Sequence, residues 1–499
     1  MFGPKVEPKV AHMALKPLKP TLEQEAIIAA AQTGKHLVIQ AGAGTGKTAT
    51  LRMVADVIGD RRAIYLAFNK AIAKEAAASF PSHVRCRTAH AVAMAAVGRA
   101  YQHRLNGPRQ PARRAAELLG TGWFELGRDM RVSPVQMARI AVDTVRHFCH
   151  SAVDDLEYRH VPVQNGIVGA DHRALAQVVL PYAKRAWNDL CDKEGTLRFE
   201  HDHYLKIWAL SKPVIDADVI MLDEGQDSNA VVAQTIQAQS QAQQIIVGDS
   251  NQSLYEWRGA IDALQQWDAD IQLYLSHSWR FGPEVAAEAN KWLTQIGTQL
   301  RLVGSPAINS RLGPLDHPSA VLCRTNSEAM RQVMAMLEDG HKVALAGGGN
   351  AIRGLAEAAH DLKNGRRTNH PELYVFTSWA ALQDYVDNES AGRDLKPFVD
   401  LIDSHGTEAI MNAVDSLVDE KRATTVVSTA HKSKGRQWSA VKIADDFAEP
   451  HNGEIPRADA MIAYVAVTRA QERLDRGGLA WIDHYPCPDR RAQPGRAVA

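Results

Sequence analysis

A glycine-rich octapeptide near the amino terminus places the strongest constraint on the fold of this chain. The octapeptide, AGAGTGKT at Ala41–Thr48, follows a short apolar run at 36–40 and precedes a helical pattern at 49–58. Glycines at 44 and 46 allow backbone N–H groups to curl around phosphate oxygens, where a Cβ atom would collide. The following helix adds the positive end of its dipole. This order of strand, loop and helix predicts a phosphate-binding loop in an α/β domain.

Two polar side chains at the end of the loop are expected to contact the nucleotide directly. Lys47 is expected to reach the β- and γ-phosphates, and the Thr48 hydroxyl to ligate Mg²⁺. A chance glycine-rich turn is the alternative, but the apolar strand before the loop and the helix after it disfavour that interpretation. The pattern therefore predicts ATP and Mg²⁺ as ligands, with a phosphate cradle made of Ala41, Gly42, Ala43, Gly44, Thr45, Gly46, Lys47 and Thr48.

A pair of acids supports nucleotide hydrolysis. Asp223 and Glu224 directly follow the apolar run Val219–Leu222. An acid at the end of a neighbouring parallel strand is where enzymes with phosphate-binding loops hold Mg²⁺. Asp223 is therefore predicted to bind the metal, and Glu224 to orient and deprotonate the attacking water. Alone, such a pair is commonly a solvated loop charge, so the prediction depends on the phosphate-binding loop.

The pattern of apolar runs indicates two α/β lobes, each with a parallel sheet and a mainly helical insertion. A first set of strands surrounds the phosphate-binding loop and returns at 219–222 and 244–247, and a second set lies at 320–324, 343–346, 425–428 and 441–444. The predicted boundaries are 1–95 and 211–277 for the first lobe, 96–210 for its insertion, 278–350 and 423–482 for the second lobe, 351–422 for a shorter insertion, and 483–499 for a disordered tail.

Further motifs follow in a fixed order, and together they resemble those of the superfamily-one UvrD/Rep-type helicases. The resemblance extends over nearly all of residues 21–475 and is nearest in character to the F-box DNA helicase branch, without an F-box. The motifs that carry it are Gln24, the octapeptide, 67–70 (AFNK), 88–90 (TAH), 223–227 (DEGQD), 247–260 (VGDSNQSLYEWRGA), 278–280 (SWR), 429–435 (TAHKSKG) and 464–470 (YVAVTRA).

The resemblance implies two RecA-like lobes with ATP in the cleft between them. Gln24 would read the adenine edge, and Trp279 would give the adenine a platform. Gln252 would sense the γ-phosphate, while Arg280 and Arg469 would reach it from the second lobe. Binding of ATP would close the lobes and hydrolysis would release them. The family moves 3′-to-5′ along single-stranded DNA, and we expect the same polarity here.

The expected DNA path combines a backbone-tracking groove with aromatic rings on which bases stack, each stack contributing ~1–3 kcal/mol. Phe68, Tyr255 and Trp257 lie in motif loops, where rings are exposed more often than in strands, although packing into the core is the alternative for each. Lys plus Arg and Asp plus Glu both number 57, so a DNA groove must be a local feature. The residues expected to contact DNA are Phe68, Asn69, His90, Tyr255, Trp257, Arg258 and His431.

The chain departs from the family pattern at a few positions. Ala41 replaces a glycine, Ala49 stands where an arginine often lies beside the adenine, and Gln437 stands where a glutamate is common. Gln437 supplies a neutral hydrogen bond in place of a charged partner. The second insertion is also shorter than the regulatory subdomain of full-length UvrD-type enzymes. These departures affect nucleotide choice, coupling and autoinhibition.

Three functions stay open at this point. The first is a helicase acting on single-stranded DNA and on junctions of single and double strands, for example in DNA repair. The second is a translocase that strips proteins from single strands, and the third is an ATP-gated DNA sensor that licenses a partner nuclease. A small-molecule kinase would not need a second lobe. No apolar run approaches ~18 residues, so no membrane span is expected, and the five scattered cysteines favour a reducing compartment, the cytoplasm or a nucleus.

Overall fold

The computed structural model of the protein describes residues 19–105, 107, 110–126, 130–254, 262–388, 395–451 and 453–485. Its amino-terminal part alternates helices and strands, as the apolar pattern predicts. These elements are α1 (Leu22–Gln32), β1 (Leu37–Ala41), α2 (Lys47–Val57), β2 (Ala63–Leu66), α3 (Lys70–Ser79), β3 (Val84–Arg87) and α4 (Ala89–Ala96).

A mainly helical segment follows and contains one small antiparallel hairpin. Its longest helix carries Pro181 in its interior, and its second helix begins with a capping box between Ser133 and Gln136. The elements are α5 (Ala112–Leu119), β4 (Phe124–Leu126), β5 (Met130–Val132), α6 (Pro134–His150), α7 (Gly169–Cys191) and α8 (His201–Leu210).

The chain then returns to the first sheet. It adds β6 (Val219–Leu222), α9 (Ala230–Gln237), β7 (Gln243–Gly248), α10 (Ala263–Gln266) and β8 (Ile271–Leu275). The completed sheet has six parallel strands in the order β3-β2-β6-β7-β1-β8. Every residue of β1, β2, β6 and β7 is buried. Burial on both faces explains why these strands are continuous apolar runs in the sequence.

The second half of the chain forms another sheet of six parallel strands, in the order β11-β16-β15-β12-β14-β13. A pair of two-residue strands connects the two halves. The elements are β9 (His277–Ser278), α11 (Pro283–Ile296), β10 (Val303–Gly304), β11 (Arg311–Leu312), β12 (Ala320–Cys323), α12 (Asn326–Glu338), β13 (Val343–Leu345), α13 (Asn350–Lys363), α14 (Trp379–Asn388), α15 (Lys396–His405), α16 (Thr407–Asp415), β14 (Thr425–Thr429), β15 (Trp438–Ile443), α17 (Arg457–Val467) and β16 (Ala470–Asp475).

The predicted fold class is confirmed, because each half has a parallel sheet of the kind found in RecA-like lobes. All of the strand runs predicted from apolar stretches coincide with strands of the structure. The prediction missed β3 and β8, at the edges of the first sheet, and β16 of the second sheet, in all of which buried and exposed positions mix. The domain boundaries stay a prediction. A 3₁₀ helix at Gly477–His484 extends into the expected disordered tail, and residues 486–499 lie outside the described part.

Four apolar clusters form the core, and one of them reaches from the second lobe to the phosphate-binding loop. Ala43 of that loop and Leu254 belong to the same cluster as Phe281, α11 and α17. The two lobes are therefore packed together at the phosphate-binding loop itself, and the cleft between them lies at this loop. Within the described residues, no helix combines the length and apolarity needed to cross a membrane.

The central strand β12 should be essential for the stability of the second lobe. Leu322 is fully buried there, so Leu322→Ala should lower the free energy of unfolding by about 2–5 kcal/mol, measured by urea denaturation. Leu22→Ala is the control, because the Leu22 side chain is 84% exposed and should change the stability by less than about 0.5 kcal/mol. Equal effects of the two substitutions would contradict this packing.

Candidate nucleotide-binding cleft

The phosphate-binding loop lies between β1 and α2 and depends on two glycines. Gly44 and Gly46 have φ angles of 74° and 79°, in the left-handed region that favours glycine. A Cβ atom on Gly44 would lie only 2.5 Å from Arg280 Cβ of the second lobe. Gly46 also caps α2, so the N–H groups of the first turn of α2 face the loop. The loop is therefore shaped both for an anion and for close approach of the second lobe.

The predicted catalytic side chains of the first lobe meet at this loop. Lys47 Nζ lies 3.1 Å from Glu224 Oε1, and Thr48 Oγ1 donates a hydrogen bond of 3.0 Å to Asp223 Oδ2. Tyr65, on β2, donates a second hydrogen bond of 2.6 Å to the same Asp223 oxygen. The sequence analysis missed Tyr65, whose place in an apolar strand gave no sign of a polar role.

Electrostatics keep the Lys47–Glu224 pair charged. Burial alone would lower the pKa of Lys47, but the carboxylates of Glu224, Asp223 and Asp249 outweigh it and raise the pKa. Burial alone would raise the pKa of Glu224, but Lys47 and a hydrogen bond from Gln226 lower it to about 2. Glu224 is therefore ionised at neutral pH, as a group that accepts a proton from water must be.

The second lobe reaches the first through a buried chain of hydrogen bonds. Arg469 Nη2 donates to Gln252 Oε1 at 3.2 Å, and Gln252 Nε2 donates to Asp249 Oδ2 at 2.7 Å. Tyr464 donates from its hydroxyl to the same Asp249 oxygen at 3.0 Å and accepts from the Ala43 N–H of the phosphate-binding loop at 3.1 Å. Gln252 and Arg469, which the family resemblance paired, are thus in direct contact.

Two arginines of the second lobe lie next to each other, Arg469 fully buried and Arg280 half-buried. Arg280 Nη1 donates to the Thr468 carbonyl at 3.3 Å, while its buried Nε has no hydrogen-bond partner among the described residues. Burial, followed by the charge of Arg280, lowers the pKa of Arg469 to about 9. Burying two like charges is unfavourable unless an anion compensates them. A triphosphate on the neighbouring loop supplies that anion, so the residues present fit ATP.

The same test applies to Mg²⁺. Burial and then the charge of Glu224 raise the pKa of Asp223, and a divalent cation bound there would relieve both effects. No group of three or more His, Cys, Asp or Glu side chains in the described ranges is arranged to hold a metal ion. Mg²⁺ usually binds through one or two protein ligands together with phosphate oxygens and water. Thr48 and Asp223 suit this mode of binding.

The predicted adenine contacts lie at the same loop. The Gln24 amide accepts from the Thr21 N–H at 3.0 Å and donates to Thr50 Oγ1 at 3.0 Å. Trp279 is 52% exposed, and its Cδ1 would lie 3.7 Å from a Cβ atom on Gly46. Trp279 is therefore available to stack on a base, whereas Gln24 is already engaged within the protein. Both assignments stay predictions.

A lysine and an aspartate that the sequence analysis did not select also join the lobes. Lys434 Nζ donates to Asp227 Oδ1 and to the Gln252 carbonyl. Burial raises the pKa of Asp227 to about 6, although Lys434 opposes the shift. Asp227 also accepts from Gln226, which donates to Glu224 as well. The sequence could have indicated both residues, because Asp227 lies in the motif at 223–227 and Lys434 lies in the motif at 429–435.

The residues expected to bind DNA differ in their exposure and in their contacts within the protein. Phe68 is 55% exposed, Asn69 caps α3 by accepting from the Ile72 N–H, and His90 contacts Asp202. His431 is partly buried, and Gln437 is exposed. Three of the expected DNA contacts, Tyr255, Trp257 and Arg258, lie outside the described residues.

Comparison with known proteins agrees with this geometry. The sequence model of a family described as an AAA domain matches residues 23–258, which span the phosphate-binding loop, Glu224 and Gln252. This part of the chain is therefore similar to an AAA domain of the kind found in UvrD/Rep-like helicases. The predicted family resemblance is therefore confirmed.

Two curated relatives extend the similarity beyond that domain. The chain is 28% identical over 502 residues to F-box DNA helicase protein 1 of Schizosaccharomyces pombe, covering 91% of this chain and 57% of the relative. It is 26% identical over 513 residues to F-box DNA helicase 1 of Gallus gallus, covering 92% of this chain and 49% of the relative. The chain thus spans about half the length of the curated relatives it matches.

The contact between Arg469 and Gln252 predicts how the cleft distinguishes nucleotides. Arg469→Ala should weaken binding of a non-hydrolysable ATP analogue about tenfold while changing ADP binding much less, because a charge-assisted hydrogen bond to the γ-phosphate is lost. Fluorescent nucleotide titrations measure both affinities. Arg353→Ala, which removes an exposed ion pair with Asp415, is the control. An equal loss for the ATP analogue and for ADP would contradict a γ-phosphate contact.

Proposed function

We propose that this chain is an ATP-dependent DNA helicase that translocates 3′-to-5′ along single-stranded DNA. The observation that carries the proposal is the buried contact of Arg469 with Gln252, next to Lys47 and Glu224. A nucleotide bound there touches both lobes, so its chemical state controls their separation. The printed names of the two relatives, both DNA helicases, support the same activity.

The hydrolytic step follows from the residues of the first lobe. When ATP enters, Lys47 turns from Glu224 to the β- and γ-phosphates, which leaves the Glu224 carboxylate free to accept a proton from the attacking water. Thr48 and Asp223 would hold Mg²⁺, which would supply positive charge to offset that of the phosphates. The side chains of Arg280 and Arg469 stabilise the charge that spreads over the transferred phosphoryl group.

Movement along DNA requires that closing of the lobes changes how tightly the protein binds the strand. The chain continues from Gln252 directly into the segment that carries Tyr255 and Trp257, so a change at the nucleotide is transmitted over a few residues. Phe68 presents an exposed ring on the first lobe. Stacked bases contribute ~1–3 kcal/mol each, which holds the strand and still permits release in every cycle.

The remaining assignments belong to the same proposal. Residues 1–95 with 211–277 and 278–350 with 423–482 form the two motor lobes, and 96–210 and 351–422 form their insertions. The proposed substrates are single strands and junctions with duplex DNA, and the proposed protein partner is a nuclease or a repair factor. A protein with these substrates acts where DNA is kept, in bacterial cytoplasm or in a nucleus.

Removal of the Lys47 ammonium should abolish the motor. Lys47→Ala should lower ATP turnover stimulated by single-stranded DNA by at least about 10²-fold, because the charge on the phosphates loses its closest stabilising donor. A coupled phosphate-release assay measures this turnover. Lys35→Ala, at an exposed lysine, should leave it unchanged. Normal hydrolysis by Lys47→Ala would show that the phosphate assignment is wrong.

An unwinding assay with the purified chain tests the proposed function and its polarity. Duplexes with a 3′ or a 5′ single-stranded tail are incubated with ATP, and strand separation is followed by loss of fluorescence quenching. The proposal predicts unwinding of the 3′-tailed duplex alone. DNA-stimulated hydrolysis without unwinding of either duplex would instead favour the protein-stripping translocase or the sensor that licenses a nuclease.

A further inference from the structure

One carboxylate joins two histidines beside the exposed ring of Phe68. Asp202 Oδ1 lies 2.8 Å from His90 Nε2, and Asp202 Oδ2 lies 3.1 Å from His150 Nε2. The three residues come from α4, α6 and α8, so the cluster links the motif at 88–90 to the helical segment. All three side chains are partly exposed. We call this group the His–Asp–His cluster.

The cluster faces a cavity at the expected DNA path. His90 and His150 both line a cavity whose volume is about 410 Å³, together with Phe68, Thr88 and Asn229. His90 also lines a neighbouring cavity of about 640 Å³, which Phe68 shares and which Lys70, Lys74 and Arg87 border. An aromatic ring surrounded by cations is the arrangement that binds single-stranded nucleic acid.

Asp202 fixes the orientation of the protons on both rings. Burial alone would raise the pKa of Asp202, but hydrogen bonds from His150 and His90 hold it well below its usual value. The carboxylate is therefore ionised and can only accept, so each histidine donates from Nε2–H. In a neutral imidazole, Nδ1 is then an acceptor, whereas in an imidazolium it is a donor.

Protonation therefore changes both the net charge of the cluster and the hydrogen-bonding role of its outward-facing nitrogens. Neither Nδ1, of His90 or of His150, has a hydrogen-bond partner in the part of the chain that the structure describes. With neutral rings the cluster carries one negative charge and two outward acceptors, which repel a phosphate. With both rings protonated it carries one positive charge and two outward N–H donors, which bind a phosphate.

Other charged and titratable groups surround the cluster, and they differ in whether they change charge in the same pH range. Burial lowers the pKa of His203 to about 4, so that ring stays neutral over the relevant range. Lys206 donates to the Ser151 and Val153 carbonyls. On the other wall of the cavity lie Asp223 and Asp227. Burial raises the pKa of both, that of Asp227 to about 6, so Asp227 also loses negative charge in acid. The remaining groups near the cluster are Arg146, His147, Cys149, His201 and Tyr204.

We propose that His90 and His150, held by Asp202, form a phosphate-binding pair whose contribution to DNA affinity increases as the pH falls. His150 is thereby a DNA-contacting residue outside the motifs, and Asp202 is a positioning residue that acts through both rings. The inference rests on the proposed function, since it needs single-stranded DNA in this groove. It adds a second contact from the helical segment to the one expected from His90.

The test is the affinity for a fluorescein-labelled oligothymidylate, measured by anisotropy at about pH 6 and about pH 8. The wild-type protein should gain about tenfold more affinity on acidification than His150→Gln, the factor expected for one charge-assisted hydrogen bond. Glutamine can still hydrogen-bond to Asp202 but cannot be protonated. At about pH 6 the slope of log affinity against log salt should also be steeper by about one in the wild type.

Two further variants separate this role from a purely structural one. His341→Gln removes an exposed histidine of the second lobe and should keep the full wild-type gain. Asp202→Asn removes the carboxylate that holds both rings in place, so the gain should be smaller than in the wild type. Thermal unfolding of each variant monitors folding separately.

The outcomes are distinct. If His150→Gln and Asp202→Asn both keep the wild-type gain and salt slope, the inference is wrong and the cluster only joins helices, even if both variants unfold at lower temperature. A part of the gain that persists in both variants belongs to Asp227 and the other histidines. If the wild-type protein binds no oligothymidylate at either pH, the proposed function itself fails.

Discussion

The buried contact between Arg469 and Gln252 is the interaction on which the rest of the site depends. It lies where the second lobe meets the phosphate-binding loop, and its arginine is almost completely buried. Arg469 and the neighbouring Arg280 bring two positive charges to the cleft, and neither guanidinium forms an ion pair with an acid among the described residues. Desolvating such charges costs several kcal/mol per ion unless a counter-charge is supplied. The cleft is therefore built for a ligand that carries several negative charges.

The first lobe, in contrast, brings several negative charges to the phosphate-binding loop. Asp223, Glu224 and Asp249 surround a single lysine, Lys47, and burial raises the pKa of two of these acids. In the proposed function, a triphosphate with a divalent cation would satisfy both halves together, because its phosphates would pair with the cations and Asp223 would pair with the metal. Hydrolysis followed by release of the phosphate would remove part of that charge, so the attraction between the lobes would weaken. In the proposed motor, the energy that moves the lobes would thus be electrostatic and would depend on the γ-phosphate.

Local sequence patterns predict the parts of this molecule that are locally determined. Strands buried on both faces are continuous apolar runs, so the centres of both sheets are predictable, whereas β3 and β16 mix exposed and buried positions and are not. Lys47, Thr48, Asp223 and Glu224 follow from their positions at strand ends. Tyr65, Tyr464 and Asp202 do not, because their partners lie 158, 215 and 112 residues away in the chain. Such partners are known only once the sheets have assembled.

A structure of the protein with a non-hydrolysable ATP analogue tests the central claim most directly. The account predicts that nitrogens of both Arg280 and Arg469 lie within about 3 Å of γ-phosphate oxygens and that Lys47 has left Glu224 for the phosphates. It would be contradicted by a nucleotide whose γ-phosphate touches residues of the first lobe alone, with Arg469 still bonded to Gln252 and the Arg280 Nε still without a partner.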